Sequence, residues 1–553
     1  MPVDREVKTK IPVVYSDGLS PSTRASNPCV HSAAADSKHR DPKDRTLTTM
    51  IRQIRNYAYY FGLVLLTSAL LPAIANAQAP LKVTDAAFWR QEALKDLIPY
   101  YYQHIRDDKN GGFQMNLSRT WQPMPPWEKT PAFVSRQVFG FTAAYMLSGD
   151  EKYLDVARDG ANYLYAHAWD SQYGGWYDKL TATGEPLTTT KTVALQLYTN
   201  VGLTTYYFAT GDERALALVK QSVEIQRTRA YDPEFGGYAQ VLNRDLTVLD
   251  YGKNKHAHFG YAGSLLLNLY LATGDPAILK FDEELMDLSM ERMRDQEGWL
   301  HGFRNRFDRK WVCTPVPAEG KNVVSVGAEL TGVLAALRLY HQSGDKKYLD
   351  FGKSLGDKVT RYGFSKQTGA WDNLLEAAYP YRHLEHREIA WWVQIYGSFL
   401  QLQLFRVTGD PQYIENFRKS EEYFERNFRD HEQGGVYNTI RPDGTVVDGN
   451  KASDWRTSYH EMEHALLVYL YLNLYVHRTP AVLHFKLDGP REDRVSYVDD
   501  PTVRIAAVKM DGKPWQKFDA AQRRVTIPEG KGHIVVVTFA PPSRSAANKV
   551  AQR

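Results

Sequence analysis

The chain repeats itself, and the repeat limits what it can fold into. A Gly–Asp pair preceded by Ser or Thr recurs at Gly149–Asp150, Gly211–Asp212, Gly274–Asp275, Gly344–Asp345 and Gly409–Asp410. A second series interleaves with it: Gly111–Gly112–Phe113, Gly174–Gly175–Trp176, Gly236–Gly237–Tyr238, Gly298–Trp299, Gly369–Ala370–Trp371 and Gly434–Gly435–Val436. Both series advance by 62 to 71 residues, room for two helices and their connections.

The stretches between these glycines have helical periodicity of two kinds. Residues 87–106, 152–167, 214–229, 277–294, 347–361 and 413–429 are amphipathic, with a charged face. Residues 133–147, 193–209, 256–272, 326–341, 390–407 and 459–474 are apolar nearly all round. A helix with one apolar stripe lies on a surface, and one apolar all round is buried. Six outer helices therefore alternate with six inner ones. Gly–Asp makes each inner-to-outer turn, because glycine accepts a positive φ and aspartate caps the helix that follows. Six such hairpins predict an all-α (α/α)6 barrel over residues 82–477, with an open α-solenoid as the alternative. The loops entering the inner helices then gather at one mouth.

Beyond residue 480 the pattern changes to short β-type runs at Val482–Leu487, Thr502–Val508, Arg524–Ile527 and His533–Phe539. They predict a small β-sandwich-like module over 480–541, serving as packing support or as a sugar-binding accessory. At the other end, residues 1–49 are polar and read as an over-extended start. Residues 50–77 run from a basic segment through an apolar one to Ala75–Asn76–Ala77, the order of a secretory signal peptide. An uncleaved membrane anchor is the alternative, and would be the chain's only tie to a membrane. Cleavage after Ala77 would send the protein to the periplasm or beyond. Cys313 would then be the one cysteine left, which excludes a disulfide framework. A net charge of +4 with acids and bases interspersed gives no ground for a nucleic-acid partner.

The starts of the inner helices carry the distinctive side chains. In order these are Arg136, Gln196, His256 with His258, Glu329, Trp391–Trp392–Val393–Gln394, and Tyr459–His460–Glu461–Met462–Glu463. Histidine suits proton transfer near neutral pH. A carboxylate such as Glu329 in an apolar helix is expensive without a role. Abundant tyrosine and tryptophan, 35 and 12 residues, suit stacking against sugar rings.

In this order the motifs resemble the N-acylglucosamine 2-epimerase superfamily, which includes cellobiose 2-epimerases and mannose-type aldose–ketose isomerases. The likeness spans about 82–477. Arg136 is similar to the family's arginine that contacts substrate oxygens. Asn254–Lys255–His256–Ala257–His258 resembles its Asn-x-His-x-His element, which implies that His258 is catalytic. Trp391–Trp392–Val393–Gln394 resembles its Trp-Trp-x-Gln segment, and Tyr459–His460 its last element, which makes His460 the second acid/base. Glu329 falls at the glutamate of a Gly-His-x-x-Glu element. Four positions depart from the pattern: Val326, Tyr261, Tyr396 and Glu463 stand where the family has a histidine, a glutamate, an acid and an arginine.

The resemblance implies proton transfer beside the carbonyl of an aldose, giving C2 epimerisation or aldose–ketose isomerisation. His258 and His460 would move the proton, Arg136 would support the oxyanion, and Glu329 would orient a histidine or bind hydroxyls. His256, Tyr261, Gln196, Trp391, Trp392 and Gln394 would bind a small-molecule or oligosaccharide substrate. No metal or other cofactor is required, and His256-x-His258 has no third ligand nearby in sequence. Two alternatives remain open at this point. One is a glycoside hydrolase or polysaccharide lyase on the same barrel, with Glu329 and either Glu463 or Glu388 as paired carboxylates. The other is a non-catalytic carbohydrate-binding protein.

Overall fold

The computed structural model describes residues 82–259, 265–300 and 305–543. Residues 1–49, the segment 50–77, Tyr261 and the polar tail from 544 lie outside the described residues. None of the described helices is long and apolar enough to cross a membrane.

Inner helices run Pro131–Ser148, Val193–Thr210, Lys255–His258 with Leu267–Thr273, Val326–Ser343, Trp391–Thr408 and Tyr459–Tyr471. Outer helices run Ala86–His104 (with a π-helical turn at Glu92–Leu97), Glu151–Tyr163, Glu213–Arg229, Pro276–Arg292, Lys346–Gly363 and Pro411–Asn427. The first inner helix is buried along nearly its whole length. The outer helix after it buries only Tyr153, Leu154, Val156, Ala157, Gly160, Ala161 and Tyr163, one stripe at helical spacing. Closure is direct: the last inner helix packs on the first, and also on the first outer helix. The toroid is therefore a barrel and not an open solenoid.

The Gly–Asp turns form as their chemistry requires. Gly149, Gly211, Gly274, Gly344 and Gly409 all take a positive φ. In each turn the aspartate side chain accepts from the first N–H groups of the outer helix, as Asp150 does from Lys152. These turns define the base of the barrel, and the inner-helix N-termini define the mouth.

The C-terminal strands make one antiparallel sheet, in the order Ala481–Arg494, Arg524–Ala540, Arg504–Met510, Lys513–Trp515, with Phe518–Asp519 paired to Arg524–Ala540. A single hydrogen-bonded sheet thus stands where two facing sheets were expected. Its first strand buries Ala481, Leu483, Phe485 and Leu487 in strict alternation, and it packs on the first two inner helices. It also covers the helix ends at the base. His484 Nδ1 meets the Met146 carbonyl at 3.1 Å, Arg491 donates to the Gly211 carbonyl at 2.9 Å, and Arg494 to the Leu271 carbonyl at 3.0 Å. Guanidinium groups at helix C-termini satisfy orphan carbonyls and complement the helix dipole. From the same module, Tyr497 and Asp499 reach into the barrel floor. Tyr497 accepts from Asn268 Nδ2 at 2.9 Å, and Asp499 pairs with Arg338 and Arg406.

Candidate active site

Position along each inner helix separates two sets of side chains. Gln196, His258, Glu329 and Gln394 are each the fourth residue of their helix. His256, Trp392 and His460 are second residues; Arg136, Tyr198, Thr331 and Tyr396 are sixth. At about 100° per residue, positions two and six share a helical face, and position four points roughly 200° away from position two.

The fourth residues face the glycine turns. Gln196 Oε1 accepts from the Trp176 N–H at 2.7 Å, His258 Nε2 from the Tyr238 N–H at 3.1 Å, Glu329 Oε2 from the Leu300 N–H at 2.8 Å and Gln394 Oε1 from the Trp371 N–H at 2.9 Å. In the two turns with a second glycine, that residue lets the lock close: a Cβ on Gly237 would lie 3.0 Å from His258 Nε2, and one on Gly175 3.0 Å from Gln196 Oε1. His258 Nδ1 meanwhile donates to the Asn254 carbonyl at 2.6 Å. Both ring nitrogens are therefore committed to backbone, and burial pushes the imidazole down to about 4. This is a correction: His258 is an architectural residue, and Gln196 and Gln394 hold turns with both amide atoms paired, whereas Glu329 holds its turn through Oε2 and keeps Oε1 without a hydrogen-bond partner.

Four of the glycine turns contain a feature the sequence reading missed. Lys129, Lys191, Lys253 and Lys451 pair with Asp107, Asp170, Asp232 and Asp430 at 2.8, 3.0, 2.9 and 2.9 Å. Each aspartate opens an Asp-x-x-x-Gly-Gly run, and three of the lysines sit two residues before an inner helix. The signal was present as a second repeated pattern.

The second and sixth residues line the mouth. Arg136, 2 % exposed, lies under two phenol rings: its guanidinium carbon is 5.5 Å from the centre of Tyr198 and 5.3 Å from that of Tyr459. It donates to the Trp455 carbonyl at 3.0 Å, and its Nε has no partner. On one side of this cation, His256 stands 6.2 Å from Tyr198. On the other, His460 stands 4.8 Å from Tyr459, with Tyr396 at 5.1 Å and Trp392 stacked on it at 6.1 Å. Gly327 makes space for that indole, since a Cβ there would lie 2.1 Å from Trp392 Cη2. Trp391 is 5 % exposed and packs edge-on behind His460, with Arg456 over its ring, so it supports the site from outside the mouth.

Electrostatics keep both mouth histidines neutral. Burial, then the Arg136, Arg456 and Lys255 charges, holds His460 well below its usual range. Burial and then Lys255 do the same for His256. A neutral imidazole beside a fixed guanidinium can take a proton whose loss leaves an oxyanion. Among the described residues no cluster of three or more His, Cys, Asp or Glu could hold a metal ion.

The N-acylglucosamine 2-epimerase family profile fits residues 111–463, more than half of the chain. The chain belongs to that family and is an enzyme of the epimerase/isomerase type. It is 26 % identical over 386 residues to the cellobiose 2-epimerase of Bacteroides fragilis, covering 67 % of this chain and 96 % of that protein. Against the Ruminococcus albus cellobiose 2-epimerase it is 25 % identical over 389 residues, covering 67 % and 95 %. In fold it resembles the cellobiose 2-epimerase of Bacillus thermoamylovorans, with a TM-score of 0.61 and 21 % identity over 70 % of this chain and 98 % of that one. A D-mannose isomerase structure gives a TM-score of 0.62 at 18 % identity, again over 70 % and 98 %.

The lock reading of His258 makes a prediction. His258→Gln supplies the same acceptor that Gln196 and Gln394 supply, so stability and activity should stay near wild type. His258→Ala leaves the buried Tyr238 N–H unpaired and should cost about 1–3 kcal/mol in denaturant unfolding. A folded but inactive His258→Gln would return this histidine to the proton-transfer role.

Proposed function

We propose that the enzyme inverts C2 of the reducing-end aldose of a short sugar, with a cellobiose-like disaccharide as the substrate class. The observation that carries this reading is the Arg136 cation between the Tyr198 and Tyr459 rings, with neutral His256 beside the first ring and neutral His460 beside the second. The curated relatives are named as cellobiose 2-epimerases and are matched over nearly their full length, which supports the choice of sugar.

With the sugar in its open form, His460 removes the C2 proton and Arg136 takes up the developing charge on the carbonyl oxygen. His256 passes a proton from solvent to the opposite face of C2, taking one on one ring nitrogen as it gives one up from the other, and His460 releases the C2 proton to solvent, so both rings end neutral. Return at C1 instead would give the ketose. Trp392 offers the ring platform beside His460. We also infer that the protein acts outside the cytoplasm, on the strength of residues 50–77. Intact-mass measurement after expression from Met50 should then give a mature chain beginning at Gln78, whereas an uncut chain would argue for an anchor.

The test is proton NMR in heavy water with cellobiose, mannobiose, glucose, mannose, N-acetylglucosamine and a uronic acid. Loss of the C2 proton with a new epimer supports the reading, and a ketose would redirect it to isomerisation. No exchange on any of these aldoses overturns it. The pH profile follows from the same geometry: both histidines must begin neutral, and both are held below the usual value of about 6.5. The acid limb of kcat/KM should therefore fall below pH 6.5, and a midpoint above it would contradict the site.

A further inference from the structure

Glu463 is a buried carboxylate that the scheme above leaves unused. It is 5 % exposed, and two phenols address it: Tyr459 donates to Oε1 at 2.9 Å and Tyr396 to Oε2 at 3.2 Å. Burial raises its affinity for a proton, against the hydrogen bond from Tyr459, the Arg338 charge, the hydrogen bond from Tyr396 and the Arg136 charge. Tyr396 is half-buried. Its ring stands edge-on to both His460 and Trp392, at 5.1 and 5.9 Å. Beside it lies a cavity of about 40 Å³ whose polar lining is Thr331, Arg338, Tyr396, Glu463 and His464. Tyr396 thus joins the aromatic platform of His460 and Trp392 to a buried carboxyl.

Epimerisation at C2 needs the open-chain aldehyde, and aldoses arrive as closed hemiacetals. Opening requires a base for the O1 proton and an acid for the ring oxygen. We propose that Tyr396, recharged by Glu463, is the acid that opens the pyranose ring; this rests on the reading of the site as a sugar epimerase. His460 takes the O1 proton as the C1–O5 bond breaks and the aldehyde forms. Tyr396 gives its phenolic proton to O5, and the protonated Glu463 carboxyl replaces it. The proton on His460 then returns through Tyr396 to Glu463, which leaves His460 neutral for C2 and the ensemble unchanged overall. Tyr396 is the catalytic residue here. Glu463 acts through it, held in place by Tyr459.

Ring opening can be measured apart from epimerisation, as exchange between the α and β anomers of cellobiose in two-dimensional exchange NMR. Full-length wild type should accelerate anomer exchange. Tyr396→Phe and Glu463→Gln should each lose about tenfold or more of that acceleration. Glu463→Gln preserves hydrogen-bonding capacity toward both tyrosines, so a merely structural role predicts no loss in that variant. Thermal melts of both variants confirm that folded protein is compared. Unchanged anomer exchange in either folded variant, or no acceleration by wild type, overturns the relay. Acceleration that depends on Tyr396 and Glu463 without any epimer supports the relay and sinks the epimerase reading. Epimer formation with variant-insensitive anomer exchange does the reverse.

Discussion

His460→Ala should lower kcat by about 10²–10⁴-fold, the usual cost of losing a positioned general acid or base, with a much smaller change in KM. The imidazole is half-buried at the mouth, its Nδ1 has no hydrogen-bond partner, and its neighbours are aromatic rings. Truncation consequently strands no buried donor or acceptor, and the melting temperature should move little. Trp392 and Tyr396 remain to hold the sugar, which is why binding should survive while turnover does not. The check is steady-state kinetics on cellobiose alongside C2 exchange in heavy water. A variant that retains more than about a tenth of wild-type kcat would remove His460 from the chemistry. The contrast with His258→Ala is diagnostic, since the one should lose rate without stability and the other stability first.

That contrast also marks where sequence reasoning succeeded and where it stopped. The barrel was legible because inner and outer helices differ in periodicity and because Gly–Asp punctuates them at a near-constant interval. The chemistry of the mouth was legible as residue types. What escaped was the face. His256 and His258 are two residues apart, and on a helix that separation turns one toward the barrel axis and the other toward the Gly236–Gly237 turn. The repeat itself held the answer: His258 aligns with Gln196, Glu329 and Gln394, and a position filled by three different polar residues with one shared acceptor is a turn lock. Tyr198 aligns with Arg136 and Tyr396 and so belonged to the mouth, yet it stood out in no motif. Glu463 and Tyr396 were visible only as departures from a family pattern, and their pairing required the fold. The route of residues 496–500 into the barrel floor had no periodic signal at all.

That floor carries the largest expected effect on stability. Asp499 is 2 % exposed and accepts from Arg338 at 3.2 Å, Arg406 at 3.0 Å and the Tyr471 hydroxyl at 3.1 Å. Asp499→Ala takes the shared counter-charge from two buried guanidiniums that are held near each other by it, and Asp500 then remains as an anion for Arg406 at 3.1 Å. Breaking a buried pair by removing one partner costs about 3–5 kcal/mol, because the abandoned charge stays out of water. Burial pushes the Asp499 carboxyl up, but Arg406 and then Arg338 outweigh it and hold the group at about 2. In the unfolded chain it titrates near 3.9. Its contribution is therefore complete above about pH 4 and drains away as the pH falls toward about 2. Asp499→Asn should flatten that part of the acid unfolding profile as well as lowering stability at neutral pH. Because Arg338 also lines the cavity beside Tyr396, the same substitution should slow the enzyme even where it remains folded. An Asp499→Ala protein that unfolds in urea at the wild-type midpoint would mean that the C-terminal module merely rests on the barrel. A loss of several kcal/mol would make the sheet, which begins after the family match ends at Glu463, an integral part of the site's foundation.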